Sequence, residues 1–370
     1  MITTLLRLLV LAGIFMGNRA AVPGENQDWA SFRGSPAMTG AAATALPPPL
    51  KPLWTCEAGG AVDSTAAIAG DSVYVGTGKG ELLAINFADG KLKWKFDAGS
   101  TIAASPCVVG GIVYVGDRSG VFHAVDAATG KQVWQLKTGS EIISSATPGD
   151  GTVLFGSYDN NLYCLNAKMG AVKWQFQADA QVHCSPCVAE GSAMIAGCDG
   201  KVRIIDLETG REKAAASLEQ SNFAASPAYS GGNVYVGALS GEYLCVSCTN
   251  GKVNWQTKKE GECYAGAAVK DESVVFANRA NKVFCLDRAT GKDRWEFTAK
   301  GGFDSSPVIA GEVVYIGCGD GNVYGLALQD GKKVWQFTAG GTVNASPAIA
   351  RGRMVIGTSD GAIYCFGQAK

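Results

Sequence analysis

Short apolar runs bounded by turn residues recur along the whole chain. IVYVG at 112–116, NVYVG at 233–237, VVYIG at 313–317 and NLYCL at 161–165 have the length and alternation of strands. After the N-terminal region no stretch keeps a helical period. Glycines punctuate the runs at fixed places. One series is Gly90, Gly130, Gly170, Gly210, Gly251, Gly291 and Gly331; the other is Gly80, Gly120, Asn160, Gly200, Gly241, Asn281, Gly321 and Gly361. Only Gly and Asn occupy them, the residues that most readily take a positive φ, so both series predict hairpin turns.

A tryptophan follows the first glycine series at a constant offset. Trp54, Trp94, Trp134, Trp174, Trp255, Trp295 and Trp335 are spaced by about 40 residues, with one double step in which Ala214 stands at the missing position. Eight positions at this period predict eight four-stranded blades: an all-β, eight-bladed β-propeller of antiparallel sheets. The last repeat stops after three strands, whereas PLWTCEA at 52–58 has a Trp and no strands before it. The N-terminal strand is therefore expected to complete the last blade, burying Leu53 and Trp54 and removing an open edge. The phrase DAATGKQVWQL at 126–136 returns as DRATGKDRWEF at 287–297 and QDGKKVWQF at 329–337. A repeated phrase is read as structural. Its Asp and Thr bond turn backbone, its Gly is left-handed, and its Trp covers the neighbouring blade with the ring N–H on a carbonyl.

Composition changes this picture little. The 370 residues carry 49 glycines, as many tight turns require, and a net charge of −1, which points to neither nucleic acid nor an anionic membrane. Residues 1–21 read as a signal peptide: Arg7, an apolar run from Leu8 to Met16, then Ala20 and Ala21. Residues 22–49 read as an irregular lead-in and 50–370 as one propeller. The expected location is the periplasm or cell envelope of a bacterium, with no membrane span in the mature chain. No Cys precedes Cys56, so a lipid-anchor cysteine is not expected. Of the twelve cysteines, Cys164, Cys245, Cys285 and Cys365 share one repeat position with Ala84, Ala124, Ile204 and Gly325, while Cys107 and Cys187 share another with Val308 and Ala348. These are small core positions, so most thiols are expected free. Cys184 and Cys187 form a CxxC, but on a strand residues three apart face opposite ways.

AVDAATGKQVW and CLDRATGKDRW resemble the tryptophan-docking motif of quinoprotein-type eight-bladed propellers, over residues 50–367. DWASFRGSPAMTG resembles the N-terminal segment of PQQ-like repeat proteins. The resemblance implies one of two functions. Quinoprotein dehydrogenases bind pyrroloquinoline quinone with calcium and oxidise alcohols or sugars. BamB-like members are non-catalytic scaffolds that bind protein partners of the cell envelope. The chain lacks an adjacent Cys–Cys pair, a CxxCH haem motif and long inter-strand insertions. The scaffold reading is preferred: a non-enzymatic monomer without cofactor, with the quinoprotein oxidoreductase as alternative.

Candidate chemistry lies two residues before each inner strand's Ser, at the mouth of the central channel. Round the ring this position reads Asp63, Ala103, Ile143, His183, Ala224, Tyr264, Asp304 and Asn344. Asp63, Asp304 and Asn344 are the weak candidates for a metal such as calcium, which needs six or more oxygens. Asp320 and Asp360, in nearby turns, would add to an acidic sector that favours a basic partner. Both also fit as turn formers, like Asp159 and Asp199. His123 aligns with Leu83, Tyr163 and Phe284 and is expected to pack between blades. No nucleophile elbow or P-loop is present, so no catalytic residue is assigned.

Overall fold

The structure is a computed structural model that describes residues 27–368. The signal-peptide reading therefore lies outside the described residues. Thirty-two strands form eight four-stranded antiparallel sheets. Seven are continuous in sequence: blades one to seven at 67–97, 107–137, 147–177, 187–217, 228–258, 268–298 and 308–338. Blade eight takes three strands from 348–367 and its outer strand from Lys51–Glu57, which pairs antiparallel with Ala362–Gly367. Each blade's innermost strand contacts that of the next, and the circuit closes between blades eight and one. No helix among the described residues is long and apolar enough to cross a membrane.

The docking motif works as its chemistry predicts. Trp94 donates its indole N–H to Ala127 O at 3.1 Å, Trp134 to Ala167 O at 3.2 Å and Trp295 to Leu328 O at 2.7 Å, each in the next blade. Trp174 reaches Leu207 and Trp255 reaches Arg288 in the same way. Trp335 reaches Leu50, and Trp54 reaches Phe87, so the same bond crosses the closure. A glycine sits under six of the seven rings, the exception being Trp335. At Gly90, with φ 76°, a Cβ would lie 2.7 Å from the Trp54 ring, so both conformation and space require Gly. Asp126 Oδ1 accepts the backbone N–H and the hydroxyl of Thr129, and Asp206–Thr209 and Asp287–Thr290 repeat this pair. Where Ala214 replaces Trp, a Cβ on Gly251 would instead meet the Ala215 backbone at 2.5 Å.

Leu53 departs from expectation. It is 42% exposed, because the register shifts between Pro52 and Trp54 and the extra residue is turned outward. Trp54 is buried at 8%. Closure thus rests on Trp54 and the strand ladder.

The lead-in is irregular but not idle. Innermost propeller strands present unpaired N–H groups to the channel, the liability of any sheet edge. Residues 29–42 cross the channel and accept these groups blade after blade. Trp29 O takes Ile68 N, Ala30 O takes Val108 N, and Pro36 O takes Val188 N, at 2.7–2.8 Å. Ala37, Thr39 and Gly40 take Tyr229, Val269 and Ile309. Blades three and eight are skipped; in blade three the residue at this position is Pro148, which has no N–H to offer. Trp29, Arg33 and Met38 are each 1% exposed inside this plug. The segment lies on the side of the "TGK" turns, so the opposite mouth opens onto a blind cavity.

All twelve cysteines are unpaired. Cys164, Cys245, Cys285 and Cys365 lie opposite Trp174, Trp255, Trp295 and Trp54 across the outer strand pair. Cys184 Sγ lies 3.2 Å from Ala196 N within its blade, whereas Cys187 Sγ lies 3.2 Å from Ala37 O in the plug, so the CxxC sulfurs have separate partners. Burial pushes Cys184 up to about 12 and Cys187 well above its ordinary value, which leaves both as protonated thiols. Thiol titration of denatured protein without reductant is expected to count twelve per chain; ten or more oxidised in defined pairs would refute the core-residue reading.

Candidate functional site

The mouth is built in tiers. Deepest is a ring of hydroxyls. Thr65 N donates to Ser105 Oγ, Ser105 N to Ser145 Oγ, Ser145 N to Ser185 Oγ and Ser185 N to Ser226 Oγ, at 2.9–3.0 Å. Gly266 N donates to Ser306 Oγ, Ser306 N to Ser346 Oγ, and Ser346 N returns to Thr65 Oγ1. The Ser of each "SP" step thus ties its blade to the previous one. Above this ring lie all eight residues that the repeat register places there: Asp63, Ala103, Ile143, His183, Ala224, Tyr264, Asp304 and Asn344. Together they line a cavity of about 360 Å³, with Phe32 of the plug also in its wall.

Neighbour contacts decide what these side chains can do. Asp304 is clamped by Arg279, with Nε to Oδ1 at 2.7 Å and Nη2 to Oδ2 at 3.1 Å. The same guanidinium lies 3.7 Å over the Tyr264 ring and 3.6 Å from Glu262. Asn344 Nδ2 donates to Asp63 Oδ1 at 3.2 Å across the closure. Asp63, Asp304 and Asn344 are therefore brought into one sector, but the acids do not stand as an open cluster. Asp320 and Asp360 belong to turns. Asp320 accepts Tyr324 O–H at 2.6 Å and Asn322 N at 3.1 Å; Asp360 accepts Thr358 O–H at 2.5 Å. Neither lines the cavity. Among the described residues no group of three His, Cys, Asp or Glu side chains has the spacing of a metal site.

His183 shares a 2.6 Å hydrogen bond between Nδ1 and the Tyr158 hydroxyl. Burial, and then the charge of Arg118, push this imidazole below its ordinary 6.5, so it is neutral at pH 7. The unfolded chain then binds the proton more readily than the folded one. The His183 contribution to stability is present above pH 6.5 and is lost as pH falls below it. Its NMR titration is expected to have a midpoint below 6.5; a midpoint above that value would contradict the burial argument. His123 packs edge-on against Phe96 of blade one, between blades as expected, and its Nε2 lies 2.9 Å from buried Asp117.

Arg118, Tyr158 and Arg279 were not singled out in the sequence, although the repeat carries their signal. They share the second residue of the turn between strands two and three, with Gly78, Cys198, Leu239, Gly319 and Ser359. In every blade this residue donates its N–H to the loop entering the mouth, as Arg118 does to Thr101 and Arg279 to Glu262. A position fixed in backbone and free in side chain is a second variable ring.

Comparison with known proteins agrees with this architecture. The family model described as outer membrane protein assembly factor BamB matches residues 44–148, 104–296 and 251–367. No curated protein sequence matches the chain. Solved structures of similar fold include BamB from Moraxella catarrhalis, 19% identical over 86% of this chain and 100% of that one, with a TM-score of 0.77. The computationally designed Ika8 protein gives the same identity, coverage and score. Quinohemoprotein alcohol dehydrogenase from Comamonas testosteroni is 14% identical, covers 93% of this chain and 81% of that one, and scores 0.80. At these identities the structures share the fold. Matched by the family model through every blade, this chain is a PQQ-like repeat propeller that belongs to the BamB family.

Proposed function

We propose that the chain is an exported, non-catalytic scaffold that holds a protein partner of the cell envelope at the channel mouth. The observation that carries this reading is the pairing of the mouth's polar groups. Asp304 is held by Arg279, Asp63 by Asn344 and His183 by Tyr158, so each is fixed by a neighbour rather than poised over a reacting atom. A rigid ring with a different side chain on each blade presents an asymmetric face to one partner. Asp63 is exposed and, among the described residues, has no cation within ion-pair distance, so it would take a basic side chain of that partner.

The alternative, an oxidoreductase using pyrroloquinoline quinone with calcium, draws on the blind cavity and the Phe32 ring in its wall, against which a planar group could stack. The donor set fits it poorly. Calcium needs six or more oxygens, whereas both Asp304 oxygens face Arg279 and one Asp63 oxygen faces Asn344. The scaffold reading is tested by replacing Asp63, Asp304 and Asn344 with Ala, against Ala at Lys131, Lys292 and Lys332 on the "TGK" face. Envelope partners captured by the wild type should be lost by at least about tenfold with the first set and kept with the second, consistent with about 1.4 kcal/mol or more of interface energy. The reverse pattern, in folded variants, would place the interface on the other face. Saturable binding of the quinone with calcium, with dye reduction by an alcohol or sugar, would establish the alternative.

A further inference from the structure

We propose that a small inorganic anion of halide size is bound at the base of the channel, in the space that Gly266 leaves open, by Arg33 and the backbone N–H of Ser226. The hydroxyl ring is broken once. Seven of its eight positions carry a Ser or Thr whose oxygen accepts the N–H of the preceding blade. At the eighth, Gly266 offers Ser226 no hydroxyl. A Cβ built on Gly266 would have the Ser226 carbonyl oxygen at 3.3 Å, then Arg33 Nε at 3.5 Å and Cδ at 3.7 Å. One bond further out, where the other blades carry an oxygen, the ring's usual acceptor for the Ser226 N–H is missing and Arg33 Nε is the nearest side-chain donor.

Arg33 makes the space electropositive. It is 1% exposed, and Nη2 donates to Ala267 O at 2.6 Å. Among the described residues Nε and Nη1 are buried without a partner, and no carboxylate lies within ion-pair distance of the guanidinium. Trp29 Nε1 and Ser35 Oγ, within two to four residues of it in the same turn of the plug, are also buried and unpartnered among the described residues. An uncompensated buried cation is among the costliest arrangements a protein can hold. Burial lowers Arg33 to about 9, which still leaves it charged at neutral pH. Water would accept the N–H groups but leave the charge. An anion answers both needs, and the space of one missing hydroxymethyl group limits it to halide size. The site lies beneath the mouth and is independent of the scaffold reading.

The test is crystallographic and thermal. Protein refolded and purified in bromide, with chloride excluded, should give an anomalous difference peak within hydrogen-bonding distance of Arg33 Nε. In solution, exchanging gluconate for chloride at constant ionic strength should raise Tm by about 4 °C at roughly a hundred times Kd. Arg33→Met should remove that dependence. A water without anomalous signal at Arg33, or bromide at surface sites only, would overturn the proposal, as would an unchanged chloride effect in Arg33→Met. Should that variant fail to fold, the bromide peak in the wild type decides the matter.

Discussion

Deleting residues 1–60 is expected to abolish the cooperative unfolding transition of the propeller. The truncation removes the outer strand of blade eight and with it Trp54, whose loss alone costs about 3–5 kcal/mol by analogy with other buried tryptophans. Trp335 loses the Leu50 carbonyl, and the Ala362–Gly367 strand becomes an open edge. The plug goes too, which strips the acceptors from six inner-strand N–H groups, each worth about 1 kcal/mol when its bond is lost. These losses together match the ~5–15 kcal/mol stability of a typical domain. Calorimetry and urea unfolding of the truncated chain should show a broad transition or none. Trp54→Ala in the full chain separates the contributions, and should retain a single transition at lower Tm. A truncated protein with an unchanged melting temperature would rule out the closure and the plug as stabilising elements.

The repeat made the scaffold readable because each blade solves the same packing problem. Seven tryptophans, the glycines that face six of them and the Asp–Thr turns mark positions where only a few residue types fit, so the sequence repeats them. The mouth was readable as an address for the complementary reason. The residue two before each Ser is fixed in place and unconstrained in type, and all eight such residues line the cavity. Pairing was not readable. Arg279 and Asp304 are 25 residues apart, in adjacent blades, and meet because a turn of blade six abuts the loop entering blade seven. The expectation of an acidic sector counted Asp304 without its guanidinium. The plug was least legible, since a segment used once has no second copy to compare. Its WASFRGSP stretch looks like a polar lead, and only the structure shows Arg33 beside Gly266 in the channel. Leu53 failed for a local reason, a one-residue bulge that a strand pattern does not announce.

Blade four gives the other large expected effect. At the repeat position where other blades place Leu83, Tyr163, Leu244 or Phe284, it has Arg203, 3% exposed. The guanidinium lies 2.8 Å from Asp179, 2.6 Å from Asp199 and 3.1 Å from Glu212, and 5.7 Å from the centre of the Phe176 ring in blade three. The Nη1–Asp199 approach is close but too poorly aligned for a directed hydrogen bond, so it acts as a charge contact. This is also the blade whose outer strand has Ala214 in place of Trp, on the opposite face of the sheet from Arg203, and Lys201 shares Asp179 with the guanidinium. Arg203→Met keeps much of the volume and removes the charge. Asp179 and Glu212 can turn to water, but the Asp199 side chain is only 7% exposed and would be left buried without its cation. Breaking a buried pair in this way costs about 3–5 kcal/mol, whereas an exposed pair such as Lys91–Asp89 contributes little. Urea unfolding should show this loss as a lower midpoint at unchanged slope. Adding Asp199→Asn to Arg203→Met should restore about 2 kcal/mol, because the second change removes the stranded charge. Additive losses in the double variant would show that Arg203 acts through packing on Phe176 and not through Asp199.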